Sequence, residues 1–326
     1  MYAVVLREFG LAENLRCEEL AEPPAKPGWV TVRLRASALN WHDVLVRQGK
    51  YESELPHVPG ADGAGTRVDT GEEVVVLPSL WWGEDESAPG PGWEILGDHH
   101  AGTYAELVAV PADCVFPKPA RLGWRAAAAL PLVGLTTYRA LFTRGRLGKG
   151  ESLLVLGAGG GVATMAVQLG AACGAEVVVT SSSQDKIDRA RELGAAGGVL
   201  YMDDDWCEQA KRMSPGGRGF DVVLDPVGSW QESIRSLRPG GRLVVLGASL
   251  RSDAVLDVRH FYFGQYDLLG TTVGSPRDFS GLLSLVDSGA VGAPVVDRAF
   301  PLDRAAEAHA HLERGSGFGK VVLEHE

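Results

Sequence analysis

The 326-residue sequence has no CxxC pair, no excess of basic charge and no apolar run long enough to span a bilayer. Each absence removes a class of protein. The four cysteines, Cys17, Cys114, Cys173 and Cys207, lie far apart. Disulfides among them are allowed in principle. The opening MYAVVLREFG, however, reads as a strand with charged flanks and not as a secretory signal, so a reduced cytoplasmic protein is expected. A net charge of −11 argues against a general nucleic-acid binder, because phosphate contacts need clustered Lys and Arg. No membrane partner is expected either. The remaining composition, 45% apolar and 22% charged, is that of an ordinary soluble chain. Its length is generous for one hydrophobic core and comfortable for two domains.

To about Pro119 the chain is β-rich. Val30-TVRLR alternates apolar and polar residues as a half-buried strand does, and Glu73-VVVL and Tyr104-AELVAV are further strands. Between them Pro78-SLWWGEDESAPGPGWEILGDHH, rich in Gly, Pro and Trp, is predicted to be a long surface loop. The character then changes. Arg125-AAAALPLVGLTTYRALF predicts a helix pair interrupted at Pro131. Ser152-LLVL is a short continuous apolar run, as in a parallel strand buried on both faces. A glycine-rich turn, a helix from Val162, the strand Glu176-VVVT and a helix from Gln184 follow, with Gly194 as the expected C-cap. Asp221-VVLD and Arg242-LVVLG predict two more buried strands, and Leu268-LGTTVG a last one at the sheet edge. Strand and helix alternate throughout this part, which predicts an α/β doubly wound parallel sheet. From about Val291 the pattern is mixed again, with an amphipathic helix in Asp303-RAAEAHAHLERG and a terminal strand in Lys320-VVLE. The order suggests one domain inserted into another: residues 1-122 and 290-326 around residues 123-289.

The turn Gly157-AGGGVA fits GxxGxxA through Gly157, Gly160 and Ala163. Glycine lets the backbone approach a pyrophosphate, and the N-terminus of the following helix favours its charge. The turn follows a buried strand and opens a helix, the context that dinucleotide binding requires. Gly160, Gly161 and Val162 are the expected pyrophosphate contacts. One residue is missing from this pattern. The second strand of an NAD site normally ends in Asp or Glu, which holds the ribose hydroxyls. Here it ends Thr180-Ser-Ser-Ser183, with Ser181 standing 24 positions after Gly157. An acid would repel a 2′-phosphate, whereas hydroxyls and a cation accept it. Ser181, Ser182 and Lys186 supply both, so the stretch predicts an NADPH site. The competing reading is a plain serine-rich loop with Lys186 on a solvated helix face. Gly247, Ala248 and Val273 end later strands, where open α/β sheets place ligands.

Seven segments in order resemble the medium-chain dehydrogenase/reductase superfamily along nearly the whole chain. They are Asn40-WHD, Pro59-GADGAG, Gly102-TYAE, Gly134-LTT, the loop at Gly157, Asp221-VVLDPVG and Gly319-KVVL. The resemblance implies a GroES-like catalytic domain with an inserted Rossmann domain. The zinc alcohol dehydrogenases of this superfamily use Cys and His as their first two catalytic ligands, where this chain has Asn40 and Ala61. Only the adjoining acid survives, as Asp62. A zinc site that activates substrate needs about three protein ligands. The loop from Trp81 to His100 also lacks the cysteine cluster of a structural zinc. No metal is expected at either place. Adjacent His99 and His100 are expected to be solvated or packed; His42 and His57, near the cleft the resemblance implies, could each hydrogen-bond substrate or cofactor, but packing is the expected role.

The resemblance is therefore to the zinc-free branch of quinone oxidoreductases, enoyl and enal reductases. It implies hydride transfer from NADPH to a small conjugated carbonyl compound, a quinone or an enone. Tyr51, in Gln48-GKY, matches the tyrosine that serves as proton donor in zinc-free members; the alternative is a partly buried tyrosine with its hydroxyl in water and a proton taken from solvent, as in some relatives. Asn40 is expected to offer its amide to the carboxamide, a ribose hydroxyl or the substrate carbonyl. Thr136 is expected to touch ribose or nicotinamide, and Tyr201 to pack beside the 2′-phosphate. Trp41, Trp81, Trp82 and Trp93 suggest an apolar or aromatic substrate, or fill core gaps. Phe261-YF either lines the substrate side or packs in the core or a dimer. Edge strands pair across a dimer axis in the family, so a homodimer is expected. Two alternatives stand beside this reading: a zinc-free carbonyl or alcohol dehydrogenase, and an NADPH-holding sensor with little catalysis.

Overall fold

In the computed structural model, which describes residues 1–51, 53–249 and 252–325, the apolar runs of the central chain form one parallel sheet. Its six strands run in the order Gly197–Leu200, Glu176–Ser181, Ser152–Val155, Phe220–Asp225, Leu237–Val245, Asp267–Gly270. Every neighbouring pair is parallel. Leu153, Leu154, Val155, Val178 and Val223 are fully buried, as strands covered by helices on both faces must be. The helix Gly161–Ala172 follows the glycine turn, and Gln184–Glu192 is followed by Gly194 at φ +114°, the expected cap. Helices Trp206–Met213 and Trp230–Ser236 complete the alternation. The doubly wound sheet read from the sequence is thus present, with Asp267–Gly270 at its edge.

The β-rich parts form a second sheet, seven-stranded and mostly antiparallel. Its long strand Trp29–Ala38 pairs with Asp62–Arg67, Leu107–Pro111 and Lys320–Glu324. Val32, Leu34 and Ala36 alternate inward along it and are buried. Its C-terminal end matters most for the site, because Ala38 is in register with both Asp62 and Val322. A hairpin of Tyr2–Leu6 and Leu15–Glu19 adds Val4, Leu6 and Leu15 to the core under this sheet.

By proximity of the backbone the chain divides into two compact units. Met1–Leu135, Val273–Gly289 and Ala293–Glu326 form the first, Thr136–Thr272 and Ala290–Gly292 the second. This grouping differs from the boundaries at 122 and 290. The helix Pro276–Asp287 joins the first unit, where fully buried Phe279 meets Phe116 edge-on at 5.0 Å. Alternation of strand and helix does not reveal which layer a terminal helix covers.

The stretch from Pro78 to His100 is more than a surface loop. Ser79–Leu80 pairs with Glu94–Ile95, and Trp82 is buried at 2% exposure. Trp82 Nε1 donates to Asp85 O at 3.0 Å and Trp93 Nε1 to Ser79 Oγ at 2.7 Å. Two large indoles, each needing one polar partner, fold the segment on itself. Phe261 packs on the core of the second unit, while Tyr262 and Phe263 on the same helix, Val258–Gly264, stand exposed. Among the described residues no helix is long and apolar enough to cross a membrane.

Candidate active site

The second unit carries all the residues expected to hold the dinucleotide except Val273. Gly157 takes φ +100°, a conformation that glycine adopts without strain, and its N–H donates to Thr180 Oγ1 at 2.9 Å. Thr180 thus ties the glycine turn to the end of the second strand. A Cβ built on Gly157 or Gly160 would meet no atom within 4 Å. Packing within the chain therefore does not demand glycine at these two places, and the space beside them suits a ligand's backbone approach. Gly160 is the N-cap of the helix that begins with Gly161 and Val162. Thr136 is buried, and its Oγ1 has no hydrogen-bond partner among the described residues. A buried hydroxyl without a partner is costly unless a ligand supplies one.

At the strand end, Ser181 is buried and its Oγ accepts the Ser183 N–H at 3.1 Å, leaving its O–H free to donate. The Tyr201 N–H donates to Ser181 O at 3.0 Å, which brings these two predicted residues together, and the Tyr201 side chain is exposed. Ser182 is exposed, and Lys186 is half-buried on the next helix with protein neighbours of its own. Gly247 and Ala248 follow the strand Leu237–Val245. A Cβ on Gly247 would lie 2.3 Å from Pro226 O, so here glycine is required by a neighbouring strand end. Val273 is buried and groups with the first unit. Glycine turn, unpartnered threonine and strand-end hydroxyls together fit a nicotinamide dinucleotide.

In the first unit three side chains close on one another where the resemblance puts metal ligands. Lys320 Nζ donates to Asp62 Oδ2 at 2.9 Å and also to Asn40 Oδ1. Asn40 Nδ2 donates to the same Asp62 oxygen at 3.0 Å, and the Leu132 N–H donates to Asp62 Oδ1 at 2.7 Å. The register of the sheet produces this triangle: Asn40 follows Ala38, and Asp62 and Lys320 open the strands on either side. Burial pushes the Asp62 carboxyl up, while Lys320, Asn40 and the Leu132 amide pull it back. Asn40 therefore has its amide engaged within the protein, where the sequence reading expected it to face a ligand. Ala61 is fully buried and has no ligating atom. Among the described residues no group of three or more His, Cys, Asp or Glu side chains is placed to hold a metal. Zinc does not fit these residues, and an ammonium already supplies the positive charge.

Beside this triangle lies a second charged group. His42 Nε2 is 2.7 Å from Asp98 Oδ1, and Nδ1 is 3.5 Å from Asp43 Oδ1. Burial opposes its charge, but Asp43 and Asp98 outweigh burial and push its pKa up to about 9. His42 thus stands between two carboxylates that favour its charged form, where the sequence reading expected packing. Asp43 is fully buried; burial works against its charge, and the contact with His42 holds its carboxyl below the usual range. Its Oδ2 accepts the Asn40 N–H at 2.8 Å and the Tyr104 hydroxyl at 3.2 Å. Behind Tyr104, His309 Nε2 lies 3.1 Å from the same hydroxyl, and burial pushes His309 down to about 4. The Tyr51 ring meets the His42 ring edge-on at 4.7 Å. Tyr51 is 37% exposed, and burial together with Asp98 raises its hydroxyl pKa, so it is a protonated donor at neutral pH. His57 does pack: its Nε2 lies 2.7 Å from Gly97 O. His100 turns to Glu94, 2.6 Å away, and not to His99. Sequence reasoning missed Lys320, Asp98, Tyr104 and His309 as site residues. A lysine opening an otherwise apolar strand in Gly319-KVVL was the one available signal.

Residues 26–120 match the alcohol dehydrogenase GroES-like domain, and residues 161–288 match the zinc-binding dehydrogenase family. Mouse (Mus musculus) quinone oxidoreductase is 30% identical, over 99% of this chain and 97% of its own. The 2-methylene-furan-3-one reductase of Solanum lycopersicum is 31% identical, over 97% of this chain and 77% of its own. The chain belongs to the medium-chain dehydrogenase/reductase superfamily. A solved NAD-dependent alcohol dehydrogenase matches this medium-chain fold with a TM-score of 0.95 at 38% identity over 100% of both chains. As a medium-chain dehydrogenase/reductase the protein is an oxidoreductase with a GroES-like and a Rossmann part, and a nicotinamide cofactor goes with that fold.

Proposed function

We propose that this chain is an NADPH-dependent, zinc-independent reductase of conjugated carbonyl compounds, quinones or enones. The observation that carries the reading is the closed triangle of Asn40, Asp62 and Lys320: Asn40 stands at the family's first ligand position and is engaged by the other two, while Ala61 at the second offers no ligating atom. Without a metal electrophile, oxidation of a saturated alcohol lacks its main driving group, whereas reduction of a conjugated carbonyl needs only a donor for the developing enolate or phenolate oxygen. When bound, NADPH supplies the reducing equivalents. Thr136, Gly157, Gly160, Gly161 and Val162 hold and orient the dinucleotide, and Ser181, Ser182, Lys186 and Tyr201 take the 2′-phosphate. Tyr51 donates its phenolic proton to the substrate oxygen. Names of relatives support the substrate class: a quinone oxidoreductase and a furanone reductase stand among them. The free edge at Asp267–Gly270 supports a homodimer, which sedimentation of the purified protein tests.

The likeness to an NAD-dependent alcohol dehydrogenase favours a second reading, a zinc-free alcohol or carbonyl dehydrogenase using NAD. One experiment separates the two. Oxidation of NADPH and of NADH is followed by absorbance with excess chelator, against a polycyclic quinone, an aliphatic enone and a simple aldehyde. Chelator-resistant turnover of quinone or enone with NADPH is expected. Equal or better use of NADH, loss of activity with chelator, or stoichiometric zinc in the purified protein overturns the proposal.

A further inference from the structure

His42 is held in a way that a neutral imidazole cannot satisfy. Its two ring nitrogens lie 2.7 Å and 3.5 Å from oxygens of Asp98 and Asp43, and the three side chains are at most 9% exposed. Neutral imidazole has one N–H and one lone pair, so its lone pair would face one of the two carboxylates. Imidazolium turns an N–H toward each. N–H contacts to the carboxylates and their charge both favour the imidazolium. Asp43 shares the helix Trp41–Arg47 with His42, and Asp98 arrives from the segment after Glu94–Ile95. They are the charged groups that set the state of His42.

The remaining neighbour is Tyr51. The two rings meet at 67° with centroids 4.7 Å apart, an edge-to-face contact of the kind that aromatic pairs favour. Tyr51 lies outside helix and strand, just beyond Trp41–Arg47, and its hydroxyl makes no hydrogen bond to any described residue. Within the first unit, the His42 ring is the aromatic contact that restrains this phenol. We propose that His42, fixed as the imidazolium between Asp43 and Asp98, is a positioning residue that holds the Tyr51 ring for proton donation. The inference rests on the reading of Tyr51 as donor.

Replacing His42 alone would leave Asp43 and Asp98 without their cation. The test therefore uses His42→Phe together with Asp98→Asn, which keeps an aromatic contact and removes the charge. Asp43 retains the Asn40 N–H and the Tyr104 hydroxyl. Turnover of a naphthoquinone with NADPH is measured for the wild type, this pair, Tyr51→Phe and the combination. The pair is expected to lower kcat about fivefold with KM for NADPH unchanged. Tyr51→Phe lowers kcat at least about tenfold, and the combination falls no further than Tyr51→Phe alone. Multiplying effects in the combination overturn the positioning role and leave Tyr51 as donor. An unchanged rate in Tyr51→Phe overturns the donor reading and the positioning role with it. Asp98→Asn alone gives a second check if the pair does not fold. A fall of about twofold that disappears in the Tyr51→Phe background supports the inference, and a fall of equal size in both backgrounds overturns it.

Discussion

Each unit buries charge, with Asp225 of the second met by the Val227 and Gly228 amides and the Ser233 hydroxyl, but the two differ at their candidate sites. In the second, the sheet core is apolar, and the candidate ligand contacts are backbone groups and hydroxyls at strand ends. Beside Gly157 and Gly160 there is open space, and Thr136 presents a hydroxyl with no partner among the described residues. The first unit buries Asp43, Arg47, Asp62, His309 and Lys320. There each charge is met by another group: Lys320 by Asp62, Arg47 by Glu313, Asp43 by His42. The candidate site of the second unit is thus open, and that of the first is closed. Filling space should harm function in the second unit without harming its fold. Removing a partner should harm the fold of the first before any question of function arises.

The largest expected effect follows from the closed site. Lys320→Met strands Asp62 in the interior and should cost about 3–5 kcal/mol in denaturant unfolding. Lys320→Met with Asp62→Asn should recover most of that loss, because a neutral pair carries no stranded charge. A single variant as stable as the wild type would break the comparison at its strongest point. Gly160→Val tests the open site. Its backbone at φ −75° accepts any residue, and the added side chain enters space that no protein atom fills. NADPH affinity by fluorescence titration should fall about a hundredfold, with the melting temperature nearly unchanged.

Acid and base sharpen the contrast further. Burial pushes His309 and His325 down to about 4, well below the usual histidine value near 6.5. The unfolded chain binds their protons first, so stability falls as pH drops from about 6.5 toward 4, by on the order of 3 kcal/mol for each fully developed shift. His42 acts in the other direction. Raised to about 9, it contributes stability that is complete below about 6.5 and is lost as pH rises toward 9. All three lie in the first unit. Hydrogen exchange at pH 5 should show first-unit amides losing protection while the parallel sheet keeps its own, and equal loss in both would count against this assignment. The smallest effect concerns cofactor choice. In Ser181→Asp a carboxylate can still accept the Ser183 N–H, but it faces a 2′-phosphate with like charge. The NADPH to NADH preference in kcat/KM should shift about tenfold toward NADH.

What was legible in the sequence follows the same division. Five strands of the parallel sheet could be read as short apolar runs, whereas the glycine-rich Gly197–Leu200 was not read as a strand; the glycine turn could be read because its meaning lies within seven residues. The serines after Val179 stood out against an acid that the pattern requires. In the first unit the partners are remote in sequence. Asn40 and Asp62 are 22 residues apart, Tyr104 and His309 are 205, and Asn40 and Lys320 are 280. No local period encodes such pairs; strand register creates them. Asp98 was overlooked beside the more conspicuous His99 and His100, and His42 was read as packing because its two carboxylates come from different segments. The Trp82 and Trp93 fold of the long loop was hidden for the opposite reason, since glycine and proline spacing suggested solvent where two indoles make a small core.

The position of Lys320–Glu324 within its sheet has a consequence during synthesis. This strand lies between Val296–Pro301 and Trp29–Ala38 and carries the lysine that neutralises Asp62. While a ribosome is still making residues near 300, the parallel sheet has all its strands, but the β-rich part lacks an interior strand and its matching cation. The half of the molecule begun first is therefore completed last, and for that interval Asp62 and the exposed flank of Trp29–Ala38 depend on water or a chaperone to stay soluble.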